Sequence, residues 1–517
     1  MPTSSPLTLG PDHALTTREV EAVAQRQRQL ALSPQAQRAT DEACAMLDRH
    51  IARGDLIYGI TTGYGPLATT HLSASQRHTL QRNLVYHLAT GMGPLMSHAQ
   101  ARAVMVARAN ALAQGASAIA SNTLAGVLDV INSGLAPSIP SLGSVGASGD
   151  LTPLAHMALA LMGEGAFLGH DGPSASALRA RALPVLELKD REGLALVNGT
   201  SAMTGLAALN DVGLERLLDW TATLTVAYAE VFQSNVQAWD PRLGHVRPHP
   251  GQARAHEWLQ ARAARSQRLS HTITMKAPSQ RVESQALLQE IYSVRCAPQA
   301  LGASLDVLTF HRDTVERELG AVTDNPVMFP SDDAIVHGGN FFGQHVAYAS
   351  DALLNAVVQA MVWSERRVAR LCDPRRNGQL PAFLQPNQTG LHSGFMGAQV
   401  TASALVAWAR AHATPASIQS MPTNANNQDI NTMGSMGAWR AACVLERAFE
   451  VLAIDASVCA QAVTLSQRAE GAPAYSPHTL RMVEWVHRHV PFVGDDRPLS
   501  GELGALARQM SRAVVQR

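Results

Sequence analysis

Proline is missing from three long stretches of the chain, residues 186–240, 331–373 and 423–472, and no other feature constrains the fold as strongly. Proline inside a helix removes a backbone hydrogen bond and clashes with the preceding turn, so long helices are confined to such stretches. In the second, Leu353, Leu354, Val357, Val358, Met361 and Val362 recur at the three-to-four spacing of one helical face, and the pattern stops at Cys372, just before Pro374. Trp439, Cys443, Val444, Leu445, Phe449, Leu452 and Ala456 repeat it in the third. A helix of thirty residues is about 45 Å long. Alternating strand-like patterns are scarce, so the chain is predicted to be mainly α, a long-helix bundle. Proline and glycine cluster between about residues 131 and 184, and this marks off a smaller N-terminal part, 1–195, from a long-helix core and C-terminal helical region, 196–517.

Only 16% of the 517 residues are charged and 46% are apolar, so much surface is expected to be hidden, some of it between chains. Forty-one basic and 41 acidic residues cancel, and Lys189 and Lys276 are the only lysines. This removes the basic field of a nucleic-acid binder and leaves no obvious Schiff-base lysine for pyridoxal phosphate. The five cysteines form no CxxC pair and fit a reducing compartment. The N-terminus lacks a basic segment followed by an apolar one, and no run of 18 or more predominantly apolar residues is found; the expectation is a cytoplasmic protein without membrane contact. No HExxH and no cysteine–histidine cluster occurs, so no metal is expected.

Six strings carry more polar, uncharged groups than a bundle core needs. They are Tyr58–Pro66 (YGITTGYGP), the Ala147-Ser148-Gly149 triplet within PSLGSVGASGDLTPLAH, Ala195–Ser201 (ALVNGTS), Tyr292–Gln299 (YSVRCAPQ), Thr323–Pro326 (TDNP) and Thr423–Asp429 (TNANNQD). Taken singly each has an ordinary interpretation. The triplet is a flexible turn, Tyr58 a half-buried aromatic and Arg295 a partner in a helix salt bridge. Neither a GxxxxGK[ST] nor a GxGxxG spacing is present, so nucleotide binding is not supported.

In this order the six strings resemble the aromatic amino-acid ammonia-lyase family, which includes histidine ammonia-lyase and related aminomutases; the resemblance runs from about residue 15 to about 500. It implies the histidase/fumarase type of long-helix bundle and a homotetramer with active sites shared among three subunits, Tyr58, Asn198 and Gln428 reaching one site from different chains. It also implies that Ala147, Ser148 and Gly149 cyclise with loss of water to 4-methylideneimidazole-5-one (MIO), with no metal or external cofactor. Tyr58 then matches the base that takes the β-proton; a free phenol has a pKa of about 10, so it needs surroundings that favour its anion or a concerted transfer. Asn198 matches the donor to the prosthetic carbonyl, Arg295 the two-pronged holder of the substrate carboxylate, and Tyr292, Asn325, Phe341, Asn427 and Gln428 further residues lining the site.

The substrate ring is read in Leu84–Gly91, on a helix that Ser73 and Gln76 open with capping-box spacing. Leu80, Leu84, His87 and Leu88 share one face. The His87-Leu88 pair resembles that of tyrosine-selective members, and His87 can hydrogen-bond a para-hydroxyl, with Asn424 a second partner; the bland alternative is a satisfied core histidine. Gln428 stands where histidine-specific relatives usually carry glutamate. The expected reaction is deamination of L-tyrosine to trans-p-coumarate and ammonia. Phenylalanine or histidine ammonia-lyase activity remains an alternative, as does tyrosine 2,3-aminomutase activity, since Tyr64 replaces a commoner phenylalanine. Glu290 also departs from the family's usual aspartate. A fumarase-type lyase would need a GSSxMPxKxNP loop, which is absent, and a non-catalytic helical scaffold would have no reason to keep all six strings.

Overall fold

A computed structural model describes residues 5–271 and 289–513; Lys276 lies outside the described residues. The chain forms two compact units. One comprises residues 1–212, 311–351 and 415–442, the other 213–310, 352–414 and 443–517. The fold is mainly α. Strands are short and pair two by two: Leu7–Leu9 runs parallel to Leu30–Leu32, Met92–Leu95 antiparallel to Pro140–Leu142, and Val327–Phe329 antiparallel to Ala334–Val336.

Each proline-free stretch holds one long helix, Ser201–Val231, Gln344–Cys372 and Gly434–Ser466. The second ends at Cys372, where the apolar pattern stopped. Against the sequence expectation, Gln344–Cys372 and Gly434–Ser466 are long and apolar enough to cross a bilayer. Their apolar faces are turned inward: 89% of the most apolar window of Gly434–Ser466 is buried inside the protein, as befits a core helix.

In the first unit the helix His98–Ala113 is the centre of the core, with every residue from Ala101 to Ala113 buried. It opens with a capping box between Ser97 and Gln100. Its charged Arg102 survives burial because the guanidinium donates to the carbonyls of Val23 (2.7 Å), Ala24 (3.1 Å) and Ile131 (2.6 Å), which ties down the helices on either side. The capping box expected for Ser73 and Gln76 starts the Ala74–Leu88 helix.

In the second unit Trp220 packs against Trp485 with ring centres 4.9 Å apart, and the Trp239 indole donates to the Val294 carbonyl at 2.8 Å. Arg367 and Asp455 form a wholly buried ion pair, with Nε to Oδ2 at 2.8 Å, and Thr225 and Ser364 accept two further guanidinium donors. A buried pair is costly to break because one charge is left without its partner. Arg367→Met should therefore lose about 3–5 kcal/mol of stability, while Arg367→Met combined with Asp455→Leu should recover most of it. Denaturant unfolding of both variants checks this; equal losses would show that the pair contributes no more than its volume.

Candidate active site

Twelve of the fourteen residues singled out from the sequence lie in the first unit. Eleven of these, Tyr58, His87, Leu88, Ala147, Ser148, Asn198, Asn325, Phe341, Asn424, Asn427 and Gln428, line one cavity of about 1020 Å³. Gly149 follows directly behind. Leu80 and Leu84 complete the face that His87 and Leu88 were expected to share.

The triplet sits on a crowded backbone. Ala147 and Gly149 pair as an isolated bridge, and so do Gly149 and Gly199. Gly149 has φ +70° and Gly199 φ +140°, both in the region that disfavours side chains, and a Cβ on Gly149 would run into the Gly199 carbonyl. Two amides then close on Ser148. Asn198 Nδ2 donates to the Ser148 carbonyl oxygen at 3.0 Å, while its own oxygen accepts from the Asn325 N–H at 2.9 Å, which fixes the way the amide faces. Gln428 Nε2 donates to Ser148 Oγ at 3.0 Å, its oxygen being held by Thr423 Oγ1 at 2.8 Å. An imidazolone built from Ala147, Ser148 and Gly149 fits this cradle: the close partner at 149 must be glycine, and a donor already meets the carbonyl that such a ring would carry.

Tyr58 is half-buried, and its phenol oxygen accepts the Gly65 N–H at 2.8 Å, the polarity of contact that a phenolate accepts. His337, not foreseen from the sequence, accepts the Tyr58 N–H through Nε2 at 3.2 Å. Burial lowers the His337 imidazole pKa, with Arg191 adding to the shift, which keeps it neutral for this role. Tyr64 stands edge-on to Tyr58, 6.2 Å between ring centres, and burial pushes its hydroxyl well above the ordinary tyrosine range. His87 is exposed in the isolated chain and is no core histidine. Its Nδ1 lies 3.0 Å from the Asn83 carbonyl, which can only accept, so Nδ1 carries a proton, and in the neutral ring Nε2 is the acceptor.

Beneath the cavity Asp324 lies between two guanidiniums, 3.1 Å from Arg191 Nη1 and 3.7 Å from Arg108 Nη2, all three groups at most 1% exposed. Asp324 Oδ1 accepts the Asn325 N–H at 2.8 Å, and Arg108 Nε donates to the Ala195 carbonyl at 2.9 Å. Burial drags the Arg108 pKa down to about 10, the Asp324 charge opposing and Arg191 assisting.

Tyr292 and Arg295 belong to the second unit and do not line this cavity. Tyr292 is 66% exposed, Arg295 stacks over its ring at 4.8 Å, and each lines a separate hollow, Arg295 beside Glu290. Arg295 pairs with no carboxylate among the described residues, so the salt-bridge interpretation fails. The expectation that Tyr58, Asn198 and Gln428 come from different chains also fails. One chain gathers all three, because the loops that carry them converge on the Ala147–Gly149 turn.

Asp150, also missed from the sequence, is wholly buried; its N–H donates to the Gly199 carbonyl at 2.7 Å and its carboxylate accepts from the Met203 N–H at 2.7 Å and from Ser435 Oγ. Burial raises its pKa to about 6 despite those hydrogen bonds. A carboxyl whose folded pKa is raised holds its proton more tightly when folded, so its contribution is complete below about pH 4 and is lost as the pH rises through about 6. Asp150→Asn, which cannot ionise, should gain about 1–1.5 kcal/mol relative to the parent between pH 5 and pH 8, read by denaturant unfolding. A constant difference would show that Asp150 does not titrate in this range.

Comparison with known proteins agrees with this geometry. The sequence family described as aromatic amino acid lyase matches residues 15–488. A tyrosine ammonia-lyase of Cereibacter sphaeroides is 45% identical over 96% of both chains, and a histidine ammonia-lyase of Geobacillus thermodenitrificans is 36% identical over 98% of this chain and 97% of its own. The crystal structure of a tyrosine aminomutase from Streptomyces globisporus superposes with a TM-score of 0.91 at 34% identity, covering 98% of this chain and 97% of that one. With the six strings now gathered in one fold and largely around one cavity, the chain belongs to the aromatic amino acid lyase family.

Proposed function

We propose that this lyase deaminates L-tyrosine to trans-p-coumarate and ammonia, with MIO formed from Ala147, Ser148 and Gly149 as its prosthetic group. The observation that carries the reading is the pair of amides on Ser148, from Asn198 and Gln428, in the same cavity as Tyr58 and His87. Once formed, the group supplies an electrophile that no ordinary side chain offers. Asn198 donates to its carbonyl and so favours charge building there. Tyr58 takes the β-proton at its phenol oxygen, where the Gly65 N–H supports the anion. His87 Nε2 accepts the para-hydroxyl at the far end of the apolar face made by Leu80, Leu84 and Leu88.

A substrate carboxylate meets no arginine or lysine among the residues lining this cavity. Arg295 is the natural holder, and in our reading a second copy brings it, together with Tyr292, in a homotetramer. The exposed Leu391, Val400 and Ile418 of the single chain suit such burial. Five unpaired thiols suit a cytoplasmic protein. Tyrosine 2,3-aminomutase is the second reading, favoured by Tyr64 and by the likeness to a solved tyrosine aminomutase.

The decisive experiment incubates the purified protein with tyrosine, phenylalanine and histidine and separates the products. p-Coumarate is expected, β-tyrosine would favour the second reading, and inertness toward all three would overturn both. Intact mass should fall two waters below the sequence mass, and Ser148→Ala should abolish both that loss and activity. A polar ring end left unpaired costs roughly 1–3 kcal/mol, so tyrosine should exceed phenylalanine about ten- to a hundredfold in kcat/KM, and His87→Phe should reverse the order. An unchanged ratio would show that His87 does not read the ring. For the shared site, Tyr58→Phe co-expressed with Arg295→Ala should regain activity that neither has alone; no regain would argue for sites within one chain.

A further inference from the structure

Gln81 lines no part of the cavity, yet it is the point at which three segments of the site meet. It is fully buried, while its neighbours Arg82 and Asn83 on the Ala74–Leu88 helix are exposed. Its Oε1 accepts the Leu194 N–H at 2.9 Å, and its Nε2 donates to the Gly59 carbonyl at 3.0 Å and to the Tyr64 phenol oxygen at 3.1 Å. Leu194 lies in the short helix Glu192–Val197, which hands over to Asn198. Gly59 follows Tyr58, and Tyr64 precedes the Gly65 whose N–H meets the Tyr58 phenol. The backbones close in so tightly that a Cβ on Gly193 would lie 2.6 Å from the Gln81 carbonyl oxygen. One carboxamide thus joins the helix of His87, the loop of Tyr58 and the segment leading to Asn198.

We propose that Gln81 is a positioning residue for Tyr58, holding the loop of the base in register with the Asn198 segment through one acceptor and two donors. The inference rests on Tyr58 acting as the base. A primary carboxamide suits the task because acceptor and two donors occupy one planar group; glutamate lacks the donors, and lysine and arginine lack the acceptor. Gln81 touches no substrate. Its loss should therefore leave binding by His87 and Arg295 in place and retard the proton transfer, which depends steeply on distance and alignment.

The test uses the full-length protein with tyrosine and β,β-dideuterated tyrosine. Gln81→Glu keeps the shape and the acceptor but loses both donors. It should lower kcat about tenfold or more, hold KM within about threefold, raise the deuterium isotope effect on kcat and leave the two-water mass loss intact. A purely structural role would not raise the isotope effect. Tyr64→Phe cuts one donated bond without burying a charge and should move the isotope effect the same way by a smaller amount. An active parent with Gln81→Glu within twofold of it in kcat, or with kcat reduced and the isotope effect unchanged, overturns the inference alone. If Gln81→Glu does not fold, an unchanged isotope effect in Tyr64→Phe overturns it. A parent inert toward aromatic amino acids overturns the proposed reaction and this inference with it.

Discussion

The site depends on a single carboxylate. Asp324 stands between Arg108 and Arg191 in a region closed to water, where two cations share one anion. Such a cluster needs further partners, and the backbone of the site supplies them: Arg108 binds the Ala195 carbonyl, Arg191 the Pro326 carbonyl at 2.6 Å, and Asp324 the Asn325 N–H. Through these bonds the segment 195–198 and the segment 324–326 are fixed together, so Asn198 and Asn325 can meet. The amide that faces Ser148 is thus oriented by charges that never reach the cavity.

Around that anchor the cavity is lined by five side-chain amides and the carboxylate of Asp429, with no arginine or lysine among the lining residues. Two of its amides have one end occupied, Asn198 by Asn325 and Gln428 by Thr423, and so each presents its NH2 group to Ser148. Preorganisation of this kind needs no reorientation when charge develops, which is where electrostatic catalysis gains most over water.

Much of this was legible in the sequence because it is local. The capping box at Ser73 and Gln76, the shared face of Leu80, Leu84, His87 and Leu88, and the helix stopping at Cys372 all follow from spacing within a few turns. What escaped notice is held by distant partners. Gln81 looks like any polar residue ahead of exposed Arg82 and Asn83; it is buried by the loop of Gly59 and Tyr64 and by Gly193, more than a hundred residues away. His337 reaches Tyr58 across 279 positions, and Asp150 is enclosed by Met203 and Ser435. The assignment of Tyr58, Asn198 and Gln428 to different chains failed for a related reason, since one sequence carries every copy's residues and does not say which copy supplies each.

The contact between Gly149 and Gly199 has a consequence for how such a chain can change over generations. Each glycine is barred from gaining a side chain twice, by its backbone angle and by what a Cβ would meet: the Gly199 backbone at Gly149, and Arg108 and Thr323 at Gly199. At neither position does a single substitution elsewhere relieve both bars at once. Each position is therefore held to glycine by two separate constraints, and a lineage that replaces either must satisfy both.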